Sequence, residues 1–196
     1  AYVEPIKHIQ PKVSDTSWSV HWIDSFTMSD MEKNQLKPAP DTDPVTLIRR
    51  LHFDLTGLPP LPQEVKDFTA APSAKAYSSQ VDKVLASPHF GERVAAYWLD
   101  LVRYADTVGY HGDQPHNISP YRDWVINALN QNMPYDQFTR EQLAGDLLPG
   151  STTQQKVASG YNRLLQTTHE GGLQIKEYDA IYAADRVRNV SEVWMG

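Results

Sequence analysis

Ionisable side chains sit inside segments whose apolar residues repeat with a helical period, and this feature most constrains how the chain can fold. In the C-terminal half the segments are Glu92-Arg93, Trp98-Leu99-Asp100-Leu101, Arg103-Tyr104-Ala105-Asp106, Tyr121-Arg122-Asp123-Trp124, Glu141-Gln142-Leu143-Ala144-Gly145-Asp146 and Asp185-Arg186-Val187. A charge placed that close to a buried stripe must be paired, hydrogen-bonded or used. The helices therefore have to pack so that polar partners meet at the edge of the core. With 40% hydrophobic and 10% aromatic residues in 196, the chain has the material to build that core.

Helix starts are marked by proline. Asp43-Pro44, Ser87-Pro88 and Ser119-Pro120 each put a capping side chain before a residue whose missing N–H costs nothing in a first helical turn. Leu47, Ile48, Leu51 and Leu55 then repeat on one face until Gly57. After Ser87 the expected stripe is Phe90, Val94, Tyr97, Trp98, Leu101, Val102 and Ala105, and after Ser119 it is Trp124, Val125, Ala128 and Leu129. Trp98 and Trp124 fall on these stripes and read as core. Residues 1–22 hold Pro5 and Pro11 among isolated apolar residues, which favours an extended arm. Strand-like alternation is rare. The expected fold is all-α, an irregular domain of about eight helices over 23–196 preceded by that arm. Polar, glycine-bearing loops over 105–119 and 167–174 are the natural places for binding residues.

Composition excludes several functions. Net charge is -6, and no basic run is longer than Arg49-Arg50, which argues against a nucleic-acid partner. No apolar run approaches the roughly 20 residues of a membrane-spanning helix. Without cysteine there is no disulfide, zinc-thiolate site or thiol nucleophile. No phosphate-binding glycine loop, nucleophile elbow or dinucleotide fingerprint occurs.

The order and wording of the charged helical segments, from about Trp22 to Gly196, resemble a secreted domain of unknown function found beside cytochrome c domains, the planctomycete cytochrome-associated family. That family's pattern runs on, a few residues past Val193-Trp194-Met195-Gly196, into a Cys-x-x-Cys-His haem-attachment segment. The resemblance implies haem c as cofactor, with its attachment motif absent from this chain. It also implies a periplasmic or otherwise exported setting and a domain incomplete at its C-terminus. The role it implies is the scaffold and distal wall of a haem site, for electron transfer or haem-dependent oxidation. The alternative is a non-catalytic binding or assembly module that docks a cytochrome domain or a polysaccharide. The partner is then a cytochrome c domain or the remainder of the same polypeptide.

Candidate site residues follow from both readings. His111, Asp113 and His116 lie in a loop with Gly109 and Gly112, and imidazole and carboxylate are ordinary metal ligands. The resemblance supports His111 and Asp113, and His116 is not part of its pattern. In His169-Glu170-Gly171-Gly172 the glycines allow close backbone approach. Given a haem, His111 or His169 is a candidate axial ligand. Arg186 on the last helix is placed to meet haem propionates, the other reading being an intrahelical network of Asp185, Arg188 and Glu192. Arg103, Asp106 and Arg186 are expected to line one polar cavity. Asp100, Glu141 and Asp146 read as buried ion pairs with Arg93, Arg103 or Arg122 rather than as an acid/base pair. Trp194 and Met195 end an apolar stripe that needs covering by whatever follows.

Overall fold

Proline opens helices where the sequence places it. The structure, a computed structural model, describes residues 3–19, 21–110, 112–168 and 174–196. Nine α-helices are present among them. Two compact units result, Ala1–Asp43 and Pro44–Gly196.

In the first unit, residues 3–13 have no regular secondary structure and are largely exposed, as proline-bearing chain should be. Helix α1 (Trp22–Lys33) begins with a capping box in which the His21 N–H donates to Asp24 Oδ2 at 2.7 Å and the Ile23 N–H donates to His21 Nδ1 at 3.3 Å. The arm is tied to this helix by polar bonds. Gln10 Nε2 donates to Ser25 Oγ at 2.8 Å, and the Ser14 N–H donates to Glu32 at 2.9 Å.

The second unit starts with α2 (Pro44–Thr56), α3 (Pro62–Ala70) and α4 (Ala74–Leu85). Ile48 and Leu51 of α2 are buried, and Gly57 terminates it at φ 71°, a left-handed cap that glycine adopts without a Cβ penalty. A salt bridge of 2.6 Å from Lys83 on α4 to Glu64 on α3 closes this layer, which packs through α2 onto α5 (Pro88–Leu101). A minimal antiparallel hairpin follows, β1 (Thr107–Val108) with β2 (Gln114–Pro115), pairing Thr107 with Pro115 and Val108 with Gln114. Strands two residues long carry no alternation that a sequence reading could detect. Then come α6 (Ser119–Asn130), α7 (Tyr135–Ala144), the short α8 (Thr153–Ala158) and α9 (Ile175–Met195), with 3₁₀ turns at Gly145–Leu147 and Ser159–Arg163.

The stripe expected on α5 is buried only in part: Val102 and Trp98 join the core as expected, and Tyr97 and Leu101 do not. Gly91, Ala95 and Val102 face the core, whereas Tyr97 and Leu101 are 62% and 47% exposed. Backbone approach explains the difference. A Cβ on Gly91 would sit 2.5 Å from the Ile126 carbonyl oxygen of α6, so the two helices meet where α5 has no side chain. Asn130 exploits the same contact, accepting from the Gly91 N–H at 2.8 Å and donating to the Pro88 carbonyl at 3.0 Å. It thus satisfies one of the N–H groups that a helix start leaves unpaired. On α6 the expected residues Trp124, Val125 and Ala128 are buried.

The core between α5, α6 and α7 is built around a polar knot. Tyr121 Oη donates to Gln142 Oε1 at 2.6 Å, and Trp98 Nε1 donates to the same oxygen at 3.0 Å. Gln142 is fully buried, and its Nε2 donates to the Phe138 carbonyl at 3.1 Å. Phe138 stacks on Trp124 with ring centroids 5.3 Å apart and meets Trp98 edge-on at 5.0 Å. Trp194 of α9 lies 5.1 Å from the Trp98 ring and 6.0 Å from Tyr161. Trp194 is partly covered by the chain's own aromatic rings, while Met195, which ends the same stripe, is 54% exposed.

Two substitutions test this packing by chemical denaturation. Gly91→Ala is expected to destabilise, although helix propensity favours alanine by about 1 kcal/mol, because its methyl would meet the Ile126 carbonyl. A gain in stability would refute the close approach. Gln142→Leu, which keeps the volume and removes the shared acceptor, is expected to cost about 1–3 kcal/mol. An unchanged midpoint would show that the knot contributes nothing to cohesion.

Candidate functional site

Helix α5 ends in a left-handed residue that is not glycine. The Arg103 N–H donates to the Asp100 carbonyl at 3.0 Å and the Tyr104 N–H to the Leu99 carbonyl at 2.8 Å, and the turn holds Arg103 at φ 63°. Glycine fits that conformation at less cost, by about 1 kcal/mol, so the arginine side chain is retained for what it touches. It touches Asp185 of α9, 82 positions further along the chain, through two parallel bonds of 3.0 and 2.9 Å. This fork-to-fork pairing fixes both position and orientation of the helix. Hydrogen bonding from Arg103 holds the Asp185 carboxyl below the usual aspartate range despite partial burial, and the same bond raises the guanidinium.

Two concavities flank this clamp. A narrow crevice is lined by Arg103, Asp185, Arg186, Tyr161 and Asn189. Arg186 Nε reaches the Asn162 carbonyl at 3.3 Å. Within the same seam three buried polar atoms, Tyr161 Oη, Asn189 Nδ2 and Trp194 Nε1, have no hydrogen-bond partner among the described residues. Burial raises the Tyr161 phenol, opposed by the neighbouring Trp194 indole and the Arg103 charge. The larger cleft, about 300 Å³, lies between the hairpin and residues 163–166 and is lined by Arg103, Asp113, His116, Arg163 and Gln166 among others. Its walls are joined by a 2.7 Å bond from Gln166 Nε2 to the Gly109 carbonyl. Only glycine serves at 109, where φ is 146° and a Cβ would fall 2.0 Å from the Gly112 carbonyl oxygen.

The residues singled out in the sequence distribute as follows. Arg103 lines both concavities, and Arg186 joins it in the crevice. Asp106 lines neither, because its carboxylate accepts from Tyr104 Oη at 2.9 Å. The Tyr104 phenol is pushed up to about 12, chiefly by burial and further by that bond. Asp113 and His116 both border the cleft. His111 and His169 lie outside the described residues, so the axial and metal roles expected of them have no geometry here. Among the described residues no three His, Asp or Glu side chains are grouped to hold a metal.

The expected ion pairs differ from those formed. Asp185 pairs with Arg103 rather than with Arg188, because the turn after α5 delivers a guanidinium in bidentate geometry. Arg93 lies over the Tyr97 ring at 5.1 Å, and Arg122 pairs with Asp123 at 3.2 Å. Glu141 is held by carboxamides: Gln137 Nε2 donates to it at 2.9 Å and Gln155 Nε2 at 3.3 Å. Arg163, absent from the expected site, borders the cleft with no ion-pair partner among the described residues. Its position in Tyr161-Asn162-Arg163-Leu164-Leu165 carries no periodic or motif signal that would have revealed it.

A family model, PSCyt2, described as a protein of unknown function (DUF1549), matches residues 22–196. No curated protein and no solved structure matches the chain.

The clamp predicts an acid limb of stability. The depressed Asp185 pKa means its contribution is complete above the ordinary value of 3.8 and is lost as pH falls through the lower folded value. Arg103 is partly exposed, so Asp185→Asn is expected to cost only about 1 kcal/mol at neutral pH. Below the folded pKa the variant and the parent should converge, and denaturation midpoints across the acid range check this. An equal gap at every pH would refute the coupling.

Proposed function

Since the chain belongs to the PSCyt2 family of proteins of unknown function (DUF1549), we propose that it is a helical docking module. Its arginine-bordered cleft receives an anionic group presented by a c-type cytochrome domain, whether that domain is a separate protein or part of the same polypeptide. The observation that carries this reading is the convergence of Arg163, which has no partner among the described residues, with Arg103 and His116 around one cleft. In a chain of net charge -6, the Arg163 guanidinium at this cleft is what attracts a carboxylate, through charge-assisted bonds, with Arg103 beside it and Asp113 across the rim.

The residues present fit the edge of a haem and not a resident haem. With no cysteine in the chain there is no thioether attachment within these 196 residues. The cleft is also bordered by Asp113, Thr107 and Gln166 rather than by a continuous apolar wall against which a macrocycle would pack. What these residues offer is recognition of propionate-like carboxylates: Arg163 supplies mobile donors and Arg103 a donor set already oriented by Asp185. An exported setting goes with this reading, because thioether-linked haem partners work outside the cytoplasm.

Amide chemical-shift titration with succinate, and separately with a soluble haem c peptide bearing its propionates, tests the proposal. Saturable shifts are expected at Val108, Gly109, Leu164 and Gln166, weakened about tenfold, or about 1.4 kcal/mol, by Arg163→Gln. Succinate binding without haem-peptide binding would remove the cytochrome from the reading. Silence from both ligands would remove the cleft as well.

A further inference from the structure

A second concavity shares no lining residue with the arginine cleft. It measures about 400 Å³ and opens between α6, α7 and the start of α8. Its border is made of carboxamides, Asn127 and Gln131 from α6, Gln137 from α7, and Gln154 and Gln155 from α8, with Thr152 beside them. No lysine, arginine or histidine lines it, and the one ionisable lining residue is Glu141.

Glu141 is 5% exposed. A buried carboxylate is costly unless compensated, and among the described residues no cation reaches it. Its compensation is two carboxamide donors, Gln137 and Gln155, both directed at Oε1. Oε2 is thereby left without a donor from the described residues. The partners themselves are fixed. Gln155 Oε1 accepts from the Thr152 N–H at 3.0 Å in a capping box, and Thr152 Oγ1 accepts from the Gln155 N–H at 3.2 Å. The α8 backbone comes so close that a Cβ on Gly145 would lie 2.1 Å from the Gln155 carbonyl oxygen.

By contrast, the side chains of Asn127, Gln131 and Gln154 form no hydrogen bond with the described residues. Trp124, 4% exposed, also lines the cavity. Tyr121 and Phe138 stack on it at 6.5 and 5.3 Å.

We propose that this cavity binds a neutral, hydroxyl-rich ligand, a saccharide. Each of the three unbonded carboxamides, Asn127, Gln131 and Gln154, offers a donor and an acceptor in one plane, the complement of two neighbouring hydroxyl groups, and the free lone pairs of Glu141 accept hydroxyl protons. With no cation beside it among the described residues, the Glu141 carboxylate repels anions. A pocket selecting a cation would place further carboxylates where these amides stand. The site is independent of the docking cleft, and either can fail without the other.

Saturation-transfer NMR with the 196-residue chain tests it, using cellotetraose, maltotetraose, xylotetraose and mannotetraose, with glucuronate and spermidine as charged comparisons. At least one neutral oligosaccharide is expected to bind, and affinity is expected to fall at least tenfold in Asn127→Ala/Gln131→Ala. Those two side chains are exposed, so the double variant should keep the parent's amide spectrum. Glu141→Gln, which keeps the shape and removes the charge, should also weaken binding. Absence of transfer to all four sugars, binding of spermidine in their place, or unchanged affinity in the folded double variant would each overturn the proposal.

Discussion

The fold of the larger unit depends on one buried oxygen. Gln142 Oε1 accepts from both Trp98 and Tyr121, so a single carboxamide on α7 fixes the rotation of α5 and α6 about their axes. An interior polar group of this kind costs several kcal/mol if left unpaired, about 1–3 by mutational measures. Alternative packings that rotate any of the three helices are therefore penalised more strongly than loss of apolar contact alone would penalise them. The aromatic stack of Trp98, Trp124 and Phe138, and Trp194 beyond it, are organised by that choice. Burial accordingly drives the Tyr121 phenol well above its ordinary range, so it stays protonated as a donor.

A second constraint orients what the knot leaves free. Helix α9, roughly 30 Å long at 1.5 Å per residue, contributes Val190, Val193 and Trp194 to the core, while Val187 is 68% exposed. The clamp from Arg103 to Asp185 fixes this helix, and the left-handed turn that aims Arg103 also begins the segment leading to the hairpin. The cleft and the clamp thus share one residue, so the strain at Arg103 serves a site as well as a contact. The polar atoms of Tyr161, Asn189 and Trp194 that lack a partner among the described residues lie along the same seam.

Local chemistry was readable residue by residue. Pro44 and Pro88 start helices, Gly57 stops one, and Ala128 and Val125 are core because period and punctuation are properties of neighbours in sequence. The family, too, was legible in the wording of the charged segments. The failures have a common cause. On α5 the apolar residues Tyr97 and Leu101 outline a stripe, yet the buried face is the one with Gly91 and Ala95. Hydrophobicity counts side-chain area, whereas close helix approach rewards its absence.

Sequence alone determined that the chain is helical, where several helices begin, and that its embedded charges needed partners, because these follow from backbone stereochemistry and the cost of desolvation. It named Arg103 and Arg186 without their partners, and it passed over Arg163 and the carboxamides around Glu141. Tertiary structure alone decided that Asp185 answers Arg103 across 82 residues, that Glu141 is held by amides instead of an arginine, and which side chains border each cavity. Pairing at that separation depends on the rotation and spacing of whole helices, set by a polar knot and a missing Cβ, and neither leaves a periodic trace in the chain.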